Sequence, residues 1–232
     1  MTNCDSDDKI GTPTILVRSY LSSHHLWAAR HFTGLASEIE DSHRGRSAFN
    51  IAHRAYVKSV VLSSVAFLEA AINEIFQDAY DGHDGYTKEL EANTLKALRN
   101  LWQLSGEEQG RSSWSILEKY QAALLCAGLD LLSTGEQPYQ DANLLIRLRN
   151  ALVHFKPTTL GGGKDHKLAD SLGDKFEPNR LFEGSGNPYF PDKCLGAGCA
   201  KWAVQASVAF ADKFFGIINV YPNYQLVKWP EP

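Results

Sequence analysis

Val57-Lys58-Ser59-Val60-Val61-Leu62-Ser63-Ser64-Val65-Ala66-Phe67-Leu68-Glu69-Ala70-Ala71-Ile72 is the stretch that decides the fold. Here and just beyond, Val57, Val61, Val65, Leu68, Ile72, Ile75 and Phe76 recur at steps of three and four, the apolar stripe of an amphipathic helix. Valine also suits strands, but a strand averages only ~5–6 residues and this stripe runs far longer. The spacing predicts one long helix from Ser47 to about Ala79, closed by the turn residues Asp81-Gly82-His83-Asp84-Gly85.

The same period appears on both sides. Upstream, Leu21, Trp27, Ala28, Phe32, Leu35 and Ile39 predict a helix over Tyr20 to Ser42, broken at Gly45. Downstream, Leu90, Leu95, Leu98, Leu101 and Trp102 predict another from Thr87 to about Leu104. Ser112 or Ser113 is placed to cap the next, through Trp114, Ile116, Leu117, Tyr120, Leu124 and Leu125. A fifth begins near Tyr139 and ends before Pro157, because proline disfavours helix at the residue before it.

Thr158 to about Lys193 reads differently. Gly161-Gly162-Gly163, Gly173, Pro178, Gly184, Gly186, Pro188 and Pro191 predict a loop-rich insertion over residues 158–193, with at most one short helix near Leu168 to Phe176. A last helix follows from about Cys194 to Ile218, carrying Trp202, Val204, Val208, Phe210, Phe214 and Phe215. There is no internal repeat and no alternating strand pattern. The reading is an all-α bundle of five to six helices with a long loop before the last. One domain spans residues 14–220, between a flexible acidic tail at 1–13 and a C-terminal tail at 221–232.

Composition narrows the function classes. The chain has 232 residues, enough for one sizeable core, and its 44% hydrophobic and 22% charged residues argue against disorder. With 23 basic and 27 acidic side chains the net charge is −4, which gives no support to general nucleic-acid binding but leaves room for a local basic groove. Cys4, Cys126, Cys194 and Cys199 are too few and scattered for a disulfide framework, and no histidine lies near Cys194 and Cys199 to complete a zinc site. His24, His25 and His31 share roughly one face of the first helix without a carboxylate to complete a metal site. The polar, acidic N-terminus lacks the features of a signal peptide, and no apolar run approaches the ~20 residues of a membrane span. The expectation is a cytoplasmic protein with no membrane partner, no metal and no cofactor. Gly161-Gly162-Gly163-Lys164-Asp165 fails the phosphate-loop pattern, and neither a Gly-x-Ser-x-Gly elbow nor a His-Glu-x-x-His pair is present.

Chemistry concentrates in the fifth helix, in Arg147-Leu148-Arg149-Asn150-Ala151-Leu152-Val153-His154-Phe155. At about 100° per residue, Leu145, Leu148, Leu152 and Phe155 form the core stripe, while Arg147, Asn150 and His154 cluster on another face. Arg149 falls between Ile146 and Val153, in apolar company. A buried guanidinium needs an anion. Glu69, within Phe67-Leu68-Glu69-Ala70-Ala71-Ile72-Asn73-Glu74, flanks the apolar stripe and is expected to pair with Arg149 or orient His154, with Asn73 one turn further. The simplest alternative is purely structural: Arg149 ties two helices through Glu69, and His154 favours the negative end of its helix. His43, Arg44, Arg46, His53, Arg54 and Lys58 form a basic run that most simply is a solvated face.

Arg149-Asn150-Ala151-Leu152-Val153-His154 resembles the Arg-polar-x-x-x-His motif of the HEPN superfamily, helical domains of many RNA-cutting toxins and antiviral defence proteins. The helix bearing Phe67 to Glu74 also resembles the family. Pro191-Asp192-Lys193-Cys194 running into Cys199-Ala200-Lys201-Trp202-Ala203 looks like the final helix of some bacterial members. The likeness covers roughly residues 47–215 in architecture, and only the six-residue motif is chemically specific. It implies a HEPN-like helical bundle, a homodimer with a composite site, and metal-independent endoribonuclease activity on an RNA substrate, with an antitoxin protein as a further partner. Carried onto these positions, Arg149 stabilises the phosphorane-like transition state, Asn150 positions the RNA backbone and His154 is general base or acid. Arg147, Arg46, Arg54 and Lys58 are the candidates for tracking the RNA backbone. The rival expectation is a non-catalytic HEPN-like module that binds a protein or a nucleotide.

Overall fold

The structure, a computed structural model, describes residues 17–43, 47–106, 114–157 and 167–228. Among the described residues eight α-helices run in the order α1 (Ser22–Ser42), α2 (Ile51–Asp81), α3 (Asp84–Thr87), α4 (Ala92–Ser105), α5 (Ile116–Cys126), α6 (Tyr139–Val153), α7 (Ala169–Leu172) and α8 (Ala197–Ile218). Six of them are longer than two turns, and no strand occurs among the described residues. The protein is all-α.

Helix α2 is the axis, packed by α1, α4, α5, α6 and α8. It starts later than Ser47: the Asn50 side chain accepts the His53 N–H at 3.0 Å, which makes Asn50 the cap. It ends at Gly82, whose φ of +67° is a left-handed conformation that glycine adopts without a Cβ penalty. Val57, Val61, Val65, Leu68, Ile72, Ile75 and Phe76 are all buried, and Val60, Phe67, Ala71 and Ala79 bury a second side. Each such aliphatic or aromatic side chain contributes about 1.5–3 kcal/mol on burial, so this helix dominates the core. In length and apolarity α2 would also suffice to cross a membrane, and half of its apolar window is buried inside the bundle. A helix enclosed by others on several sides has that same composition.

The cap of α5 is Ser115, two or three residues later than expected. Ser115 Oγ accepts the Glu118 N–H at 3.4 Å and Glu118 Oε2 accepts the Ser115 N–H at 2.7 Å, a reciprocal capping box. Ser112 and Ser113 lie outside the described residues, as do the acidic tail and Gly161-Gly162-Gly163.

From residue 167 to α8 the chain is more anchored than its composition implies. Leu172, Leu181, Phe182 and Phe190 are buried. Asn179, 1% exposed, donates Nδ2 to Leu195 O at 2.9 Å and its N–H to Lys193 O at 2.7 Å, and accepts the Leu181 N–H at 3.0 Å. Glycine is required here for close approach. A Cβ on Gly196 would lie 2.5 Å from Asn179 Cα, and one on Gly198 2.3 Å from Glu177 O.

Beyond α8, Tyr224 belongs to the core. Its ring meets Phe67 edge-on at 5.0 Å, and its hydroxyl donates to Asp212 Oδ1 at 2.5 Å. Tyr224→Phe removes a hydrogen bond to a carboxylate while keeping the ring, so unfolding should become easier by about 1.5–3 kcal/mol in urea titration. An unchanged midpoint would mean that this bond contributes nothing.

Candidate functional site

Helix α6 buries Ala142, Leu144, Leu145 and Leu148, and Leu152 packs half-buried against the core. The stripe stops there. His154 leaves the helix at φ −99°, ψ 29°, its N–H donating to Asn150 O at 2.9 Å. The helical period therefore does not reach Phe155, which is 49% exposed instead of buried as expected. Val153 is exposed beside it.

Arg147, Asn150 and His154 are all exposed, on the outer side of α6, as their spacing requires. Arg149 is half-buried and turned away from them. Neither the expected Glu69–Arg149 pair nor a Glu69–His154 bond is made: Glu69 is half-buried and joined to neither residue. Arg149 has no ion-pair partner among the described residues. Asn73 instead faces α5, its Oδ1 accepting from Lys119 Nζ at 3.0 Å, because the Lys119 ammonium comes in over Trp102. It does not support the α6 site.

Of the backbone-tracking candidates, Arg147 and Lys58 are exposed and Arg46 lies outside the described residues. Arg54 is already occupied. Its guanidinium pairs with Asp192 at 2.6 Å and lies over the Phe49 and Phe182 rings at 5.2 and 5.8 Å. The basic run is thus not a single solvated face. His53, within it, is 1% exposed.

His53 belongs to a cluster that helical spacing alone does not reveal. Glu40, near the end of α1, is 4% exposed. Its Oε1 accepts from His53 Nε2 at 2.9 Å and from the Ala197 N–H at 2.7 Å, and its Oε2 from Arg180 Nε at 3.3 Å. Arg180 reaches on to Asp41 at 2.6 Å. Ala197 opens α8, so the carboxylate sits at the positive end of that helix. Burial pushes the Glu40 pKa up, but the bonds from His53, Ala197 and Arg180 outweigh it and hold the group below its ordinary value. A cleft of about 680 Å³ borders the cluster, lined by Asn179, Arg180, Phe182, Lys193, Gly198 and Lys201 among others.

Glu74 of α2 plays the same part for α1. It accepts the Ser22 N–H at 2.8 Å and the Ser22 hydroxyl at 2.7 Å, and here burial wins and raises its pKa. Buried Glu40 and half-buried Glu74 thus each cap a neighbouring helix, which makes their first role structural. The two respond oppositely to pH. Glu40, with a depressed folded pKa, adds stability above the unfolded value of about 4.3 and loses it as pH falls through the folded value. Glu74, with a raised folded pKa, adds stability below the unfolded value and loses it as pH rises through its own folded value. The loss of stability as pH falls below the unfolded carboxylate value of about 4.3 should therefore be smaller in Glu40→Gln than in the wild type, read from urea midpoints on the acid side. Parallel curves would contradict this.

Among the described residues no three histidine, cysteine or carboxylate side chains are grouped to hold a metal ion. No protein-family model, curated protein or solved structure matches the chain.

Proposed function

We propose that the chain is a metal-independent endoribonuclease of the HEPN type, acting in the cytoplasm as a toxin or antiviral-defence RNA cleaver through a site completed by a second copy. One observation carries the reading. The fold uses neither Arg149 nor the His154 imidazole, since Arg149 has no carboxylate partner among the described residues and His154 is exposed at the end of α6. The purely structural account of the motif needed Arg149 tied to Glu69, and that tie is not made.

The chemistry follows from the residue types. The 2′-hydroxyl oxygen attacks the adjacent phosphorus while the bond to the 5′-oxygen breaks, leaving a 2′,3′-cyclic phosphate and a 5′-hydroxyl. One imidazole takes the 2′-proton, and a second, protonated, supplies the leaving oxygen. A single His154 provides only one of these, and a symmetric pair of chains provides both. Arg149 offsets charge on the non-bridging oxygens, and the Asn150 amide fixes the backbone. Half-exposed Val153 and Phe155 give that end of α6 an apolar rim that a second copy would cover.

The same rim favours the second reading, a non-catalytic module that binds a protein partner such as an antitoxin. Incubating the purified chain with total RNA in EDTA separates the two. The enzyme reading expects fragments ending in 2′,3′-cyclic phosphate, and intact RNA at micromolar protein would overturn it.

A further inference from the structure

Cys194 and Cys199 bracket the turn that starts α8, and both are fully buried free thiols. Cys199 lies in the first turn of the helix and Cys194 just before its cap, Gly196. Their side chains are hydrogen-bonded, thiol to thiol.

The backbone around the pair is held at several points. The Cys194 N–H donates to Tyr189 O at 2.6 Å, Leu195 O accepts from Asn179 Nδ2 at 2.9 Å, and the Ala197 N–H donates to Glu40 Oε1 at 2.7 Å. Gly196 and Gly198 press against residues 177–179. Two thiols are thus presented to each other by a fixed turn, and side-chain rotation has only to close the last gap to a bond of about 2.05 Å. The bond to Cys194 and burial both push the Cys199 thiol well above its ordinary value. Such a site disfavours thiolate, and with it a charged metal–thiolate. Nor do two sulfurs supply the four ligands of a structural zinc. A disulfide is neutral and has no polar hydrogen to satisfy, so the apolar setting accommodates it.

We propose that Cys194 and Cys199 are a redox pair that a hydroperoxide closes to a disulfide, fastening the turn at the start of α8. One sulfur attacks a peroxide oxygen, the O–O bond breaks, and the products are a sulfenic acid and water. The neighbouring thiol sulfur then attacks the sulfenic sulfur, the S–O bond breaks, and a second water leaves with the thiol proton. While the site is closed the thiols stay protonated, so the first step waits on opening of the first turn of α8. The second step has its partner already in place. A dithiol reductant of the thioredoxin class reverses the bridge. Bridges of this transient kind suit a reducing compartment, where structural disulfides are rare. The pair is separate from α6, and the proposal stands whether or not His154 cuts RNA.

The full chain is exposed to hydrogen peroxide without denaturant, quenched with catalase, alkylated with N-ethylmaleimide in guanidinium and cut with trypsin. Cleavage after Lys193 and Lys201 leaves both cysteines in one peptide, residues 194–201. That peptide should be two hydrogen atoms lighter than its reduced form and carry no maleimide. Dithiothreitol before alkylation should restore both labels. The bridged chain should melt about 3 °C or more above the reduced chain, because the crosslink restricts the unfolded state. Cys199→Ala should show no such rise with peroxide. A peptide labelled at both cysteines, or one carrying sulfinic acid in place of the bridge, overturns the proposal. So does a bridge that leaves the melting midpoint unchanged, or an equal rise in Cys199→Ala.

Discussion

With His154 replaced by alanine, RNA cleavage should fall by about 10²–10⁴-fold, the usual contribution of one positioned proton-transfer group. Growth arrest on expression of the intact chain should disappear with it. The imidazole is exposed and the backbone N–H bond to Asn150 survives the substitution, so the fold should be untouched. Stability should change by no more than about 0.3–1 kcal/mol, the value of a cation near a helix C-terminus. That separation between activity and stability distinguishes a catalytic histidine from one that only favours its helix end. If wild type and His154→Ala are equally harmless and neither cleaves RNA, the enzyme reading fails.

The largest effect on stability should come from Glu40→Ala, at about 3–5 kcal/mol, because it removes one side of a buried charge-assisted network. The change strands the His53 ring in a 1% exposed site and leaves the first N–H of α8 without its acceptor. A typical domain has only about 5–15 kcal/mol in total, so much of the chain should unfold near 37 °C. Glu40→Gln keeps an acceptor oxygen and should cost less. The residual folded fraction should cut RNA at the wild-type rate per folded molecule, because Glu40 acts on helix placement and not on the α6 chemistry. A Glu40→Ala chain that melts like the wild type would contradict the network's role.

Much of the architecture was legible because burial imposes its period on the sequence. The stripe of α2 is buried at all seven of its marked positions, and α1, α6 and α8 lie within a few residues of the expected spans, while α4 starts at Ala92 and the expected start, Thr87, ends the separate short α3. Boundaries were less legible. Several serines precede α5, and only the reciprocal bond to Glu118 selects Ser115. The glycines and prolines before α8 read as a loose loop, yet Gly196 and Gly198 serve tight packing on residues 177–179. A glycine demanded by close approach looks the same in sequence as one that loosens the chain.

At the site, spacing placed Arg147, Asn150 and His154 together on the outer face of α6 but could not say what Arg149 meets. A helical period assigns a residue to a face and does not name the opposing residue. For that reason the Glu69–Arg149 pair was expected and is not made. Glu40, a buried acid, went unnoticed, since its partners His53 and Arg180 lie 13 and 140 residues away on other elements. One signal was available. Glu40 continues the buried series Leu26, Ala29 and Ala36 on α1, and a carboxylate on such a stripe must find donors.

The most direct test of the composite site is a subunit-mixing assay. Wild-type and His154→Ala chains are unfolded together at equal amounts, refolded at fixed total concentration, and assayed for RNA cleavage in EDTA. If both imidazoles of a pair are needed, activity should fall to about one quarter of the unmixed wild type, the fraction of pairs in which both His154 side chains are intact. A fall to about one half, or no cleavage by the unmixed wild type, would contradict the account.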